Sequence, residues 1–421
     1  MMKFNRFRVK WRELRAVVNS EYYHIFHDGG VILVLIIAFL LYSTLYSLAY
    51  NNQVLRNVPI GVVDMSHTES SRQLGRLFDA GPNMYVAYNP ESMEQAEELF
   101  FARKIYGIVY IPHDYETDLL SGSPVTVGVY VDASNFLMYR QVFQEVVSSL
   151  TLTGVKVEYN RLVAQGVIPP TASVVTNPVT FQAKTLFNPY LGYGSFIMPA
   201  IIIVIIQQTL LIGLGMIGGT WREQGLYRKL VVPGERRLSV VPLILGKSLV
   251  YFSIYAATML YVFGIHYRIF HFPMNGSFWS VVGLLLPYLL ACIFMGIALS
   301  TCFRKREESI MLLIWTSIPV LLLSGASFPR QAIPEWLYTI GLIFPSTSGV
   351  DGFVRIQTMG ASLFDVSRQV CTLWILVGVY FLLACFSIRR LLDDDKTRTG
   401  RRGGFLRRGV KASTSTGPQK L

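Results

Sequence analysis

The stretch Phe196–Gly219, FIMPAIIIVIIQQTLLIGLGMIGG, contains no charged residue and as a helix would be apolar around its whole circumference. A membrane hydrocarbon core about 30 Å thick requires about 20 apolar helical residues to cross it. A surface helix of a soluble protein would instead carry a polar face. The stretch therefore predicts a membrane span, in which Gln207 and Gln208 are the central polar residues.

Further uncharged runs of similar length have the same character. They are Val31–Tyr50, Ser248–Ile265, Trp279–Phe303, Ser309–Phe328 and Val370–Ile388. The composition agrees, because the chain of 421 residues is 52% hydrophobic and only 15% charged, whereas soluble domains carry roughly 25% charged residues. The sequence predicts an all-α membrane bundle of six helical spans, with spans 2–6 within residues 196–388.

The distribution of Lys and Arg predicts the orientation of these spans. The tail 389–421 contains ten of them, whereas segment 51–195 contains nine against thirteen acidic residues. Cytoplasmic loops are enriched in Lys and Arg, so both termini are expected in the cytoplasm and segment 51–195 outside it. The net charge of +12 then reflects topology, and a nucleic-acid partner is not needed. The basic tail is expected to contact anionic membrane lipids, and a docking site for a cytoplasmic protein is the alternative.

Segment 329–350 is apolar but too interrupted to cross the membrane. Pro334, Glu335 and Pro345 divide it, and a seventh span would place the basic tail outside the cell. We predict an outer, re-entrant or interfacial pair of short helices. An interfacial aromatic anchor through Trp336 and Tyr338 is the alternative.

The first 30 residues repeat apolar side chains at steps of three and four among several Lys and Arg residues. This pattern is typical of a basic amphipathic helix that lies in the cytoplasmic membrane interface.

Segment 51–195 mixes strand-like and helix-like patterns, which predicts a small extracytoplasmic α/β domain inserted between spans 1 and 2. The predicted strands are 58–64, 105–111 and 125–132, and the predicted helices are 69–80, 91–102 and 136–165.

No constellation of catalytic or metal-binding residues stands out in the sequence. The histidines show no HExxH spacing, no GxSxG motif occurs, and the cysteines lie in or at the ends of predicted spans. Gly246-Lys247-Ser248 resembles the end of a phosphate-binding loop, but Val241 stands where that loop requires Gly. The spans contain no Asp or Glu, which disfavours an ion-coupled carrier. We therefore expect no catalytic residue, metal or cofactor in this chain, and an energy source on another chain.

The segment Thr220–Pro233, TWREQGLYRKLVVP, resembles the cytoplasmic RE-x-G-T-x-E-x-L-x-x-(S/T)-P segment of the ABC-2 type family of ABC transporter permeases. Asn188–Pro199, Leu323–Leu337 and Phe344–Gly349 resemble further family segments in the same order. The resemblance covers nearly the whole chain. It points to the drug- and lipid-exporting branch, which has a large outer domain after the first span.

This resemblance implies the permease subunit of an ATP-driven exporter in the bacterial inner membrane, which moves an amphipathic or hydrophobic solute out of the cytoplasm or inner membrane. The implied partners are a cytoplasmic ABC ATPase dimer that binds ATP and Mg, a second permease copy or a paralogue, and a periplasmic adaptor protein.

The resemblance also assigns residues. Loop 220–239 would couple the ATPase to the spans, and a solvated basic loop is the alternative. The residues implied for ATPase coupling are Arg222, Glu223, Gln224, Gly225 and Arg228. The chain departs from the motif at Leu226 and Arg228, where the family often has Thr and Glu.

A pathway or gate is expected to involve Gln207, Gln208, Ser324, Phe328 and Trp336. For the two glutamines, packing between helices is the other interpretation.

Two other functions are compatible with a membrane chain. One is a membrane-anchored receptor or scaffold whose outer domain binds a ligand or an envelope protein, although six spans exceed what an anchor needs. The other is a lipid-modifying enzyme, which the lack of buried catalytic groups disfavours.

Overall fold

The computed structural model of the protein describes residues 2–179, 183–189, 191–229 and 239–413. Within these ranges it describes the backbone alone for residues 2–9, 228, 229, 313 and 394–413. Contacts divide the chain into two compact units. We call residues 1–51 with 186–421 the helical unit, and residues 52–185 the α/β unit.

The helices are α1 (Met2–Phe26), α2 (Gly29–Ala49), α3 (Glu69–Asp79), α4 (Met93–Phe101), α5 (Tyr115–Ser121), α6 (Phe136–Ala164), α7 (Pro169–Thr176), α8 (Tyr193–Glu223), α9 (Leu226–Lys229), α10 (Val240–Ile269), α11 (Phe278–Ser300), α12 (Arg306–Leu323), α13 (Glu335–Gly341), α14 (Pro345–Gln357) and α15 (Ser367–Ser413). The strands are β1 (Val58–Asp64), β2 (Met84–Tyr88), β3 (Gly107–Ile111) and β4 (Gly128–Val131).

Among the described residues, five helices are long and apolar enough to cross a membrane, namely α2, α8, α10, α11 and α15. Each contains all or most of one predicted span, which confirms the prediction of a helical membrane protein. The central helix is α8, which is the most buried of the five and contacts α11, α12 and α14.

The predicted span Ser309–Phe328 differs from the observed helix α12. Three charged residues, Arg306, Glu307 and Glu308, occupy the first turn of this 18-residue helix. At its other end Gly325 has a φ of +78°, a left-handed conformation that commonly ends a helix. The apolar part of α12 is therefore shorter than the uncharged run suggested, and α12 is not among the five helices that meet the length and composition of a span.

Segment 329–350 forms short helices, as expected from its prolines. A helical turn at Arg330–Ala332 is followed by α13 and α14. Pro345 occupies the first turn of α14, where its missing N–H would have no helical partner. Helix α14 extends beyond the predicted segment to Gln357 and packs against α8, α11 and α15.

Helix α1 packs along α10, and its buried face differs from the apolar face suggested by the sequence. The fully buried residues along this face are spaced by four, and they are Glu13, Val17, Glu21 and Ile25. Trp11, by contrast, is 55% exposed. Two carboxylates therefore lie on the packed face of a helix that the sequence predicted to be simply amphipathic.

The α/β unit contains a four-stranded sheet in the order β2-β1-β3-β4. Strand β1 pairs in parallel with β2 and β3, and β3 pairs antiparallel with β4. The three predicted strands contain β1, β3 and β4, and the three predicted helices contain α3, α4 and α6. Strand β2 and helices α5 and α7 were missed because each is short and carries no regular apolar pattern.

Candidate functional site at the end of helix α8

The motif-bearing segment forms a tight elbow between α8 and α9. At the end of α8, the Arg222 guanidinium donates hydrogen bonds to the backbone carbonyl oxygens of Thr301 and Phe303, at 2.9 and 3.3 Å. These carbonyls belong to the connection between α11 and α12. Arg222 therefore fixes the end of α8 to two neighbouring helices.

Gly225 makes the turn from α8 to α9. Its φ is +61°, a conformation that glycine adopts without strain and β-branched residues rarely adopt. No described atom lies within 4 Å of the position that a Cβ would occupy. Backbone conformation, rather than close packing within this chain, is therefore the reason for glycine here.

Buried aromatic side chains hold the elbow in place. Trp221 is fully buried, and its ring contacts Tyr227 edge-on with ring centres 5.1 Å apart. Burial, followed by the nearby charge of Glu21, raises the pKa of the Tyr227 hydroxyl, so this side chain stays neutral. Glu223 and Gln224 are exposed beside these anchors. The elbow thus exposes two polar side chains, Glu223 and Gln224, while buried aromatic side chains hold its backbone in place.

An ion pair buried between α1 and α10 contacts Trp221 and helps to hold the elbow in place. Lys247 Nζ lies 2.8 Å from both carboxylate oxygens of Glu21, and the Tyr251 hydroxyl donates to the same carboxylate at 2.8 Å. Lys247 Nζ also lies 3.7 Å from the centre of the Trp221 ring, a cation–π contact. The group that resembled a phosphate-binding lysine is therefore engaged with Glu21 and Trp221.

A second ion pair joins the starts of α2 and α12. The Asp28 carboxylate caps α2 by accepting hydrogen bonds from the N–H groups of Gly30 and Val31, and it accepts two hydrogen bonds from Arg306 at 2.5 and 2.9 Å. Burial acts to raise the pKa of Asp28, but the bonds from Arg306 and the backbone outweigh it and lower that pKa.

Helix α8 packs closely against the start of α12. A Cβ added to Gly219 would lie 2.8 Å from the backbone of Lys305 and Arg306, so a larger residue would push α8 and α12 apart. A cavity of about 280 Å³ lies between these helix ends, and it is lined in part by His24, Thr220 and Gln224.

The structure gathers four of the five residues implied for coupling. Arg222, Glu223, Gln224 and Gly225 form the elbow, whereas the side chain of Arg228 lies outside the described residues. Sequence reasoning missed Trp221, Glu21, Lys247, Asp28 and Arg306. The available signal was Glu13 and Glu21 in register with Val17 and Ile25, two charges on an otherwise apolar face.

The residues predicted for a pathway or gate are not gathered at one place. The Gln207 side-chain oxygen accepts a 2.8 Å hydrogen bond from the Ser346 N–H in the first turn of α14, so this residue joins two helices. The Gln208 amide has no hydrogen-bond partner among the described residues. Ser324 is buried, whereas Phe328 and Trp336 are 52% and 66% exposed.

Comparison with known proteins shows which protein family has this architecture. The protein-family model described as ABC-2 family transporter protein matches residues 30–386 of the chain. The chain belongs to the ABC-2 family. This result confirms the resemblance found in the motif segments.

Curated relatives of this ABC-2 family chain are similar over most of its length. It is 25% identical over 406 residues to the inner membrane transport permease YhhJ of Escherichia coli (strain K12), covering 90% of this chain and 99% of the relative. It is 20% identical over 382 residues to the probable multidrug ABC transporter permease YbhR of the same strain, with the same coverage. ABC transporter G family member 20 of Dictyostelium discoideum is 21% identical over 81% of this chain and 45% of the relative.

Because it belongs to the ABC-2 family and contains several long apolar helices, the chain is a transport permease subunit. Its apolar helices indicate a multi-pass protein of the inner membrane.

Proposed function

We propose that this chain is the transmembrane subunit of an ATP-driven exporter, which moves an amphipathic or hydrophobic solute out of the cytoplasm or the inner membrane. A separate ABC ATPase dimer, which binds ATP and Mg, would drive it from the cytoplasm. Two copies of the chain, or one copy and a paralogue, would enclose the pathway. The printed names of the bacterial relatives, a transport permease and a probable multidrug permease, support this proposal.

The observation that carries the proposal is the anchored elbow after α8. Its exposed residues, Glu223 and Gln224, are available to an ATPase surface. Arg222 connects the elbow to α11 and α12 through Thr301 and Phe303. Trp221 connects it to α10 and α1 through Lys247. A displacement imposed on the elbow would therefore reach several helices at once, as an ATP-driven subunit requires.

The test uses two substitutions of Gly225 in the permease reconstituted with its ATPase in proteoliposomes. Gly225→Val forces a β-branched residue into the left-handed conformation, whereas Gly225→Asn is the matched control because Asn tolerates it. We expect the Val variant to hydrolyse ATP but to lose most transport, measured against a panel of lipids, drugs and peptides. The Asn variant should retain both activities. Transport at the normal rate by the Val variant would refute the coupling role of the elbow.

The orientation is part of the proposal, with both termini in the cytoplasm and the α/β unit in the periplasm, where an adaptor protein could bind it. Native Cys302 is exposed beside the elbow, and Ser123 is exposed in the α/β unit. In variants with either a single Cys302 or a single Ser123→Cys, a membrane-impermeant maleimide should label only the latter in spheroplasts with intact inner membranes. The opposite labelling would invert the topology.

The receptor or scaffold alternative makes a different prediction. Such a protein would copurify without any ATPase, and the Gly225→Val variant would keep its full function.

A further inference from the structure

A cavity of about 430 Å³ opens at the end of α8 opposite to the elbow. Phe196 and Ala200 in the first turns of α8 line it, and at ~1.5 Å per residue they lie about 38 and about 32 Å along the helix from Trp221. The rest of its wall comes from the α12–α13 connection, from α13 and α14, and from the start of α15. Its volume is within the usual range of small-ligand sites, roughly 300–1,000 Å³.

The cavity carries a cationic side. Arg330 and Arg368 are exposed at its wall. The Arg330 guanidinium lies 4.1 Å from the centre of the Tyr338 ring, and stacking of this kind leaves the N–H groups at the edge of the guanidinium available. The Arg368 guanidinium donates no hydrogen bond to the described residues. Burial raises the pKa of the Tyr338 hydroxyl, and the charges of Arg330, Asp351 and Arg368 act on it in addition. Tyr338 and these three charged residues line the same cavity.

The cavity also carries an acceptor side. Gln369 Nε2 donates a 2.6 Å hydrogen bond to Asp351 Oδ2, which fixes the orientation of the amide. Gln369 is only 8% exposed, and its Oε1 has no hydrogen-bond partner among the described residues. A buried acceptor without a donor is costly. A ligand that supplies N–H groups would satisfy Gln369 Oε1 beside the Asp351 carboxylate.

The cationic side and the acceptor side together indicate which class of ligand the cavity can bind. The wall also contains Arg355, which donates to the backbone carbonyl of Asp365, and the Asp365 carboxylate, which accepts a hydrogen bond from Ser362. A simple anion would be attracted by the guanidinium groups but repelled by the carboxylates, and a simple cation would be attracted by the carboxylates but repelled by the guanidinium groups. Apolar side chains, Phe196, Val350 and Val354, complete the wall. We propose that this cavity binds the headgroup of a zwitterionic amphiphile, in which a phosphate contacts Arg330 and Arg368 and a primary ammonium contacts Asp351 and Gln369.

The inference rests on the proposed transport function only in making this amphiphile a candidate cargo. The binding test therefore needs no ATPase. The full-length chain, purified in detergent, is titrated with phosphatidylethanolamine, and bound lipid is measured by native mass spectrometry. Phosphatidylglycerol lacks the ammonium, and phosphatidylcholine has an ammonium without N–H donors. We expect each of these to bind at least about tenfold more weakly, because phosphatidylglycerol leaves the Asp351 carboxylate without a counter-charge and phosphatidylcholine leaves Gln369 Oε1 without a donor.

Matched variants locate the binding. Arg368→Gln should weaken phosphatidylethanolamine binding about tenfold or more, whereas Arg389→Gln, an exposed arginine further along the same helix α15, should leave it unchanged. Asp351→Asn should reduce the preference for phosphatidylethanolamine over phosphatidylglycerol. Equal effects of Arg368→Gln and Arg389→Gln, or equal binding of all three lipids to the wild-type chain, would overturn the proposal.

Soluble competitors distinguish a lipid from a free headgroup. Displacement by phosphoethanolamine as effective as that by the lipid would support the headgroup chemistry and assign it to a soluble ligand. Displacement by inorganic phosphate alone would overturn the need for an ammonium group. If the lipid binds as proposed but is not transported, the assignment of this lipid as cargo fails, while the site and the exporter proposal both stand. If transport proceeds while Arg368→Gln leaves lipid binding intact, the site fails.

Discussion

Replacing Lys247 with Met removes the cation that neutralises Glu21 and leaves a carboxylate buried between α1 and α10. Both partners are nearly inaccessible, with side-chain exposures of 4% for Lys247 and 0% for Glu21. Removing one partner of such a pair costs about 3–5 kcal/mol. The hydrogen bond from Tyr251 remains and limits the loss, but the contact of Lys247 with the Trp221 ring is lost as well. We expect the free energy of unfolding to fall by about 4 kcal/mol.

The assay is reversible unfolding of the purified chain in mixed micelles of SDS and a non-ionic detergent, followed by circular dichroism. The matched control is the double variant Glu21→Leu with Lys247→Met, because replacing a whole buried pair by apolar side chains is often neutral or stabilising. It should unfold within about 1 kcal/mol of the wild type. A single variant as stable as the wild type, or a double variant as unstable as the single, would refute the assignment of a buried, mutually neutralising pair.

Two further predictions concern the elbow and its surroundings. Replacing Arg222 with Met removes the hydrogen bonds to Thr301 and Phe303. The free energy of unfolding in the same assay should fall by about 1–2 kcal/mol, since the arginine is half-buried. An unchanged stability would contradict the anchoring role. The folded-state pKa of Asp28 is lowered, so its stabilising contribution is complete above the ordinary carboxyl pKa of about 3.9 and is lost as the pH falls through the lower folded-state value. An Asp28→Asn variant should therefore lose less stability than the wild type between pH 5 and pH 2, both measured by thermal melting.

The membrane helices were predictable because a span needs a long uncharged stretch, and such stretches are visible in any sequence. The exception was α12, where the uncharged run continued past the observed helix. Gly325 turns the chain into a left-handed conformation after Ser324, and the uncharged residues beyond it belong to an irregular connection. An uncharged run therefore indicates where a chain can be buried, but it does not show where the helix ends.

The elbow was predictable from its motif, but the groups that hold it were not. Glu21 and Lys247 are 226 residues apart, and Asp28 and Arg306 are 278 residues apart. No local spacing connects such partners, because they meet only when the helices pack. The apolar repeat in α1 was also misleading, because it did not indicate that Glu13 and Glu21 lie on the packed face.

Gln207 lies between the two ends of α8, and it provides a test of whether they communicate. Its side-chain oxygen accepts the Ser346 N–H at 2.8 Å, so a shift of α8 along its axis would pull on the first turn of α14. Helix α14 in turn supplies Val350, Asp351 and Val354 to the cavity. Gln207→Leu removes this bond while leaving the elbow and the cavity intact.

Gln208→Leu is the matched control, because the Gln208 amide has no partner among the described residues. With the ATPase present in proteoliposomes, we expect Gln207→Leu to retain ATP hydrolysis and lipid binding but to lower transport several-fold, and Gln208→Leu to transport normally. Equal transport by the two variants would refute a role for the Gln207–Ser346 bond in carrying movement of α8 to the cavity, and would leave the packing of α8 against α11 and α12 as the remaining physical connection.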